Sequence, residues 1–351
     1  MINLDKLVRK NILSLTPYSS ARDEFQGEAE VYLDANENPF NTPYNRYPDP
    51  LQLELKEKIS QLKNVPIKNI FLGNGSDEPI DLVMRVFCEP GIDNIVAIEP
   101  TYGMYRVAAQ INNIEYIPVT LSENFDLLPD KLLKACNANT KLIFLCSPNN
   151  PTANYLGEDA IRQVIENFQG IVVLDEAYID FSAHRGFLPE LTKYPNLIIL
   201  QTFSKAWGMA ALRLGMAFAQ TSIIELMNKV KYPYNINMLT QQKVMEALAN
   251  HQQKEQWVNI ILQNRQWLIN ELSAIELIET IYPSDANFVL VKIQQASWVY
   301  QYLVEQKIIV RNRSNVKLCN NCLRITVGTA EENAKLIAAL KKLSIPSIAS
   351  V

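Results

Sequence analysis

Leu197-Ile198-Ile199-Leu200-Gln201-Thr202-Phe203-Ser204-Lys205-Ala206-Trp207-Gly208-Met209-Ala210-Ala211-Leu212-Arg213 is the stretch on which the reading of this chain turns. Its first four residues form an apolar run that reads as a buried strand, and residues 214–219 read as another. Lys205 therefore stands just past the end of a buried strand, with hydroxyls at Thr202 and Ser204. An isolated ammonium is costly to bury, so lysine normally keeps to the surface. One reading is a lysine that snorkels from a loop. The other is a desolvated amine that loses its proton and becomes a nucleophile suited to Schiff-base chemistry.

Working outward, apolar runs at 69–72, 94–98, 115–119, 141–146 and 171–174 read as further strands, and helical spacing recurs at 51–62, 76–86, 102–110 and 158–168. Continuous apolar strands alternating with helices predict an α/β fold with a mostly parallel sheet covered on both faces. Active sites on such sheets lie at the carboxyl ends of the strands. Beyond about 236 the texture changes. Helices at 239–249 and 256–272 precede a strand (287–293), a helix (297–305), strands at 308–310 and 323–327 and a closing helix at 331–343, an order that predicts a smaller α+β domain. Residues 31–34 suggest a short strand. The expected division is a large α/β domain over 40–240, with 1–39 and 241–351 forming the smaller one, joined by long helices.

With 351 residues, 48% hydrophobic and 20% charged, the chain has material for a large core. A net charge of −4 gives no reason to expect nucleic acid or an anionic membrane as partner. No apolar run of about 18 residues suggests a membrane span, and the N-terminus lacks the charge and apolar core of a signal peptide. The expected location is cytoplasmic, with the five cysteines (Cys88, Cys136, Cys146, Cys319, Cys322) as reduced thiols. Cys319-Asn320-Asn321-Cys322 is a CxxC without a second pair, and His184 and His251 lack ligand spacing, so no metal site is expected. Two histidines also make a histidine-based triad a poor expectation.

Three further motifs follow predicted strands. Gly73-Asn74-Gly75-Ser76-Asp77-Glu78-Pro79 precedes a helix. Glycines and free N–H groups at a helix start suit a phosphate, although a simple capped helix explains the same residues. Glu78 stands where a dinucleotide fingerprint has its third glycine, which argues against a Rossmann nucleotide site. Ser147-Pro148-Asn149-Asn150-Pro151-Thr152 is a rigid turn that could present Asn150 at the sheet edge. Asp175 ends the run Ile171-Val172-Val173-Leu174, with Tyr178 three residues on. A carboxylate there needs a cation, either in a structural ion pair or as a protonated pyridine nitrogen. Taken together, a phosphate-binding turn, Asn150, Asp175, Tyr178, Lys205 and Arg213 are what pyridoxal phosphate requires: an anion anchor, donors to the ring oxygen, a carboxylate for the ring nitrogen and a Schiff-base lysine.

These motifs resemble the aminotransferases of the aspartate aminotransferase fold, and within them the histidinol-phosphate aminotransferase family. The resemblance extends over Tyr18-Ser19-Ser20-Ala21-Arg22, Asp34-Ala35-Asn36-Glu37-Asn38-Pro39, Asn45-Arg46-Tyr47-Pro48, Pro100-Thr101-Tyr102-Gly103-Met104-Tyr105 and Leu323-Arg324-Ile325-Thr326-Val327-Gly328, and so over nearly the whole chain. It implies that Lys205 carries the cofactor and acts as acid–base catalyst, that Asp175 pairs with the pyridinium, and that Tyr178 and Asn150 bond the ring oxygen. Tyr102 would stack on the ring. Backbone N–H groups of Ser76 and Asp77, the Thr202 and Ser204 hydroxyls and Arg213 would hold the phosphate, with Glu78 of the same turn counted in the cofactor site although its carboxylate must point away. Tyr47 would reach the phosphate of a partner subunit, making a homodimer the functional unit. Tyr18, Asn36, Arg311 and Arg324 would line the substrate site, with Arg313 competing with Arg311 for that role. The implied reaction is transamination between L-glutamate and imidazole acetol phosphate, giving L-histidinol phosphate in histidine biosynthesis. An aromatic or broad-range aminotransferase, a phosphothreonine decarboxylase and a non-catalytic cofactor-binding protein remain open. Two positions depart from the family pattern: Ala153 and Ala211 stand where glycine is usual, and either would strain the backbone at positive φ.

Overall fold

Seven strands build the main sheet: β1 (Ile70–Asn74), β2 (Asn94–Glu99), β3 (Glu115–Thr120), β4 (Thr140–Cys146), β5 (Ile171–Asp175), β6 (Leu197–Thr202) and β7 (Leu214–Phe218), in the order β1-β7-β6-β5-β4-β2-β3. This is a computed structural model, which describes residues 3–18 and 30–343. Strands β2 to β6 pair in parallel, and β7 runs antiparallel between β6 and β1. Being opposite to both neighbours, β7 leaves β1 running with the rest. The carboxyl ends of β1, β4, β5 and β6 therefore open on one edge, beside the start of β7. Every residue of β5 and β7 is buried, as their apolar composition requires of a sheet covered on both faces.

The helices that cover the sheet are amphipathic. Helix Asp77–Phe87 buries Ile80, Val83, Met84 and Phe87, one stripe at helical spacing. Phe71, Tyr105 and Phe144 join it on one face, while Leu55, Ile59, Phe203 and Trp207 pack on the other. Each such large side chain stabilises by about 1.5–3 kcal/mol on burial. The strand ends meet closely at one point. A Cβ on Gly215 would lie 2.3 Å from the Gly75 carbonyl carbon, so only glycine fits there.

A second, antiparallel sheet has the order β10-β11-β9-β8, from β8 (Ile278–Ile281), β9 (Phe288–Ile293), β10 (Arg311–Asn312) and β11 (Cys322–Thr326). Helix His251–Ser273 and helix Ala330–Leu340 pack on it. The latter starts with a capping box between Thr329 and Glu332.

Several expectations are corrected. Residues 31–34 form no strand, and Val31 and Leu33 are exposed with no ladder to join. The strand expected at 308–310 lies instead at Arg311–Asn312, and β8 has no counterpart among the expected strands. Residues 3–13 do not pack with the smaller sheet. Val8 and Ile12 enter the core beneath the main sheet with Phe87, and the Arg9 N–H donates to the Val86 carbonyl at 3.0 Å. Apolar spacing in two helices of four residues says that they dock, not where.

Candidate active site

The shared strand edge holds a pocket whose empty space, open mouth included, is about 580 Å³. Its walls include Ser76, Asp77, Tyr102, Asn150, Asp175, Tyr178, Thr202, Ser204, Lys205 and Arg213. Ten expected residues thus meet in one place, because β1, β2, β4, β5 and β6 end on that edge and β7 begins there.

Asp175 is the last residue of β5 and is buried. One carboxylate oxygen accepts from the Tyr105 hydroxyl at 2.7 Å, the other from the Ala177 N–H at 3.1 Å. No cation lies within ion-pair distance of it among the described residues. Burial raises its pKa, and the two donors offset this only in part. A buried carboxylate without a cation is what a protonated ring nitrogen would complete.

Lys205 is half-buried, its Nζ 5.6 Å from the centre of the Tyr178 ring. Burial, then the guanidinium of Arg324, hold its pKa below the ordinary lysine value, while Asp175 works against them. The Tyr178 hydroxyl accepts from Asn150 Nδ2 at 3.3 Å, and Asn150 Oδ1 accepts a close hydrogen bond from Arg324 Nη1. The Phe288 ring packs edge-on against Tyr178 at 5.1 Å and lies under the Arg324 guanidinium at 5.3 Å. Asn150 therefore bridges the tyrosine beside Lys205 to an arginine of the second sheet.

At the anion end, Arg213 has left-handed backbone (φ 51), so its carbonyl accepts from the Gly75 N–H at 2.7 Å as β7 begins. Its guanidinium is 3.2 Å from Asp77 Oδ2, and Asp77 Oδ1 accepts from the Tyr102 hydroxyl at 3.1 Å. Ser76 Oγ is buried without a hydrogen-bond partner at the start of helix Asp77–Phe87, which carries no side-chain cap. An orphaned hydroxyl, a helix N-terminus and an arginine fit a phosphate monoester. The Thr202 hydroxyl accepts from the Ser204 N–H at 3.0 Å and shapes the same turn.

Glu78 is corrected. Its Oε2 accepts from the Asn74 N–H at 2.5 Å, and Asn235 Nδ2 donates to both carboxylate oxygens, at 3.1 and 3.2 Å. It thus closes the end of β1 and points away from the pocket, as repulsion from a phosphate demands. Arg311 lies directly opposite Arg324 in the β10–β11 register, putting both on one face. Arg313 is half-buried beside them, its Nε unpartnered and its pKa drawn down to about 10 by burial, then by Arg324 and Arg311.

Besides Glu78, Arg311 and Arg324, which lie outside the pocket lining, three more expected residues are not brought to this pocket by their own chain. Tyr18 lines a separate groove with Pro50, Leu51 and Lys229. Asn36 is exposed at φ 54, and Tyr47 stacks on Tyr234 at 4.5 Å. Ser19 to Arg22 of the first motif lie outside the described residues. Sequence reasoning missed Tyr105, although it stands three residues after Tyr102, one helical turn away, and so faces the same edge.

Comparison with known proteins agrees with this geometry. Residues 24–340 match the family model of aminotransferase class I and II. A histidinol-phosphate aminotransferase of Parabacteroides distasonis is 56% identical over 98% of this chain and 100% of that protein. One of Bacteroides fragilis is 57% identical over 97% and 99%. Among solved structures, histidinol-phosphate aminotransferase from Sinorhizobium meliloti in complex with pyridoxal-5'-phosphate superposes with a TM-score of 0.76 at 23% identity, covering 85% of this chain and 84% of that one, a likeness of fold. The chain belongs to the class I and II aminotransferases, among the histidinol-phosphate aminotransferases, a family of pyridoxal-phosphate enzymes with small-molecule substrates.

Proposed function

We propose that this protein transfers an amino group between L-glutamate and imidazole acetol phosphate, giving L-histidinol phosphate and 2-oxoglutarate. The observation that carries the reading is the Arg311–Arg324 pair across β10 and β11, tied through Asn150 to the pocket that holds Lys205. Two guanidiniums on one face suit a doubly charged phosphate ester, and either can fork onto a glutamate carboxylate. Arg313 adds a third positive charge behind them. The relatives named for this activity support the same substrate.

When bound, pyridoxal phosphate supplies an electron sink for charge developing at the substrate α-carbon and a carbon that exchanges one amine for another. Asp175 would hold the proton on the ring nitrogen. Asn150 Nδ2 and the Tyr178 hydroxyl would orient the ring oxygen, and Tyr102 would cover the ring. Ser76, the N–H groups at the helix start, the Thr202 and Ser204 hydroxyls and Arg213 would hold the phosphate. Lys205, its pKa lowered, would be the amine that holds the cofactor, and its Nζ would move the proton at the substrate α-carbon.

The functional unit is a homodimer in this reading. Tyr47, Tyr18 and Asn36 sit outside their own pocket, and Leu33, Phe40 and Tyr44 near them are exposed apolar residues that a second subunit would cover. No described helix is long and apolar enough to cross a membrane, and we place the enzyme in the cytoplasm. We also keep the division near residues 40 and 240, with 3–13 added to the larger part.

The test is turnover of histidinol phosphate, phenylalanine and phosphothreonine with 2-oxoglutarate as acceptor. Histidinol phosphate is expected to give the highest kcat/KM, with one glutamate formed per turnover. Carbon dioxide from phosphothreonine without glutamate would identify a decarboxylase instead. Preference for phenylalanine would identify an aromatic aminotransferase.

A further inference from the structure

Helix His251–Ser273 packs on the second sheet, yet its first turns reach the main pocket's supporting loops. Lys254 is nine-tenths buried there. Its Nζ lies 3.0 Å from Asp180 Oδ1, 2.6 Å from Glu255 Oε1, and 5.6 Å above the centre of the Trp207 ring. Asp180 stands two residues after Tyr178, and Trp207 two residues after Lys205. One ammonium thus touches both turns that carry the reacting and orienting side chains. Burial acts to lower its pKa, but Asp180 and Glu255 outweigh it and keep the amine charged.

Three helical turns further on, the same face presents Arg265. Its Nη1 donates to the Phe181 carbonyl at 3.3 Å and to the Ala286 carbonyl at 2.7 Å. Phe181 closes the turn after Tyr178, and Ala286 leads into Phe288, the ring that packs against Tyr178. The Lys205 turn also meets this helix through Ala206, which is buried in one apolar cluster with Val258, Tyr178 and Phe181. Lys254 adds to that apolar packing a charged contact with both turns, to Asp180 on one and Trp207 on the other.

We propose that Lys254 is a positioning residue of the active site, fixing the Tyr178 turn and the Lys205 turn relative to each other by pairing with Asp180 while lying over Trp207. The inference rests on the catalytic roles given above to Lys205 and Tyr178. It concerns geometry, because Lys254 touches neither substrate nor cofactor. Misplacement by about 1 Å of a reacting group costs up to ~100-fold in rate.

The experiment compares the holoenzyme of wild type, Lys254→Met and Lys254→Arg. Methionine fills the space without pairing. Arginine keeps the charge and can lie on the Trp207 ring. Two quantities are read: kcat and KM for glutamate, and, without any substrate, the rate at which the apoprotein takes up pyridoxal phosphate into the visible band of the Lys205-bound form. Lys254→Met is expected to lower kcat ~10–100-fold with KM changed less than ~3-fold, and to slow uptake ~10-fold; Lys254→Arg recovers most of both. A lower melting temperature with kcat and uptake within ~3-fold of wild type would overturn the proposal. Should Lys254→Met fail to fold, Asp180→Asn removes the same pair from its more exposed side, and unchanged kcat and uptake there overturn it equally. If wild type does not turn over histidinol phosphate, the substrate reading falls while the uptake comparison still decides the role of Lys254.

Discussion

Asp175→Asn removes one charge and almost no shape. The asparagine oxygen still accepts from the Ala177 N–H, and its amide can donate to the Tyr105 oxygen where the carboxylate accepts. In the apoprotein the carboxylate is buried and its pKa is raised, first by burial. A carboxyl whose folded pKa lies above its unfolded value, ~3.9, destabilises the fold as pH rises through that interval. The Asp175→Asn apoprotein is therefore expected to be as stable as wild type at pH 7, or more so. With cofactor bound, the lost partner would be a pyridinium. A charge pair ~3.5 Å apart at an effective dielectric of ~20 is worth ~5 kcal/mol, an upper bound of about three and a half decades in rate. Residual hydrogen bonding trims this, and the expected fall in kcat is ~100–1000-fold. The assay couples 2-oxoglutarate or glutamate formation to an indicator enzyme, alongside thermal unfolding of the apo form. A kcat within ~5-fold of wild type would remove Asp175 from its role. Strong destabilisation of the apoprotein would mean that the carboxylate serves the fold instead.

Two further outcomes follow from the same buried edge. Glu176 is buried, with its pKa raised to about 7, first by burial, while the Phe187 N–H (2.7 Å) and the Gln201 amide (3.0 Å) pull the other way. Its folded pKa exceeds the unfolded ~4.3, so its contribution is present below ~4.3 and lost as pH rises through about 7, on the order of 3–4 kcal/mol. Wild-type apoprotein should lose melting temperature between pH 5 and 8, and Glu176→Gln should flatten that slope; an unaltered slope contradicts the assignment. Ala153 has φ 68 and is fully buried, whereas Ala211 is exposed and not at positive φ. Ala153→Gly relieves ~1–2 kcal/mol of strain, offset by ~0.8 for the buried methyl and ~0.4–1 for chain entropy. Urea unfolding should therefore register a change below ~1 kcal/mol, and a loss of ~2 kcal/mol would refute the strain.

The main sheet was legible because its strands are buried on both faces and so read as unbroken apolar runs, as in Ile171-Val172-Val173-Leu174. The pocket was legible for the same reason: Asp175, Asn150, Lys205 and Ser76 each follow such a run, and topology does the rest. What was not legible depends on contacts between distant segments. The position of β10, two residues in length, is set by pairing with β11 and not by its own sequence. The Tyr105 hydroxyl on Asp175 crosses 70 residues. Glu78 reads as part of a phosphate turn, yet Asn235, far along the chain, draws its carboxylate the other way. Strain at Ala153 is conditional on its φ until the backbone is seen; the observed φ turns the condition into a fact, while Ala211 escapes it.

The central claim is that Lys205 bears the cofactor. Borohydride reduction of the holoenzyme, followed by proteolysis and mass spectrometry, tests it directly. The account predicts the reduced cofactor on the peptide containing Lys205, and no such adduct in Lys205→Ala. The adduct on another lysine, Lys56 or Lys254 among the buried ones, or on none, would contradict it.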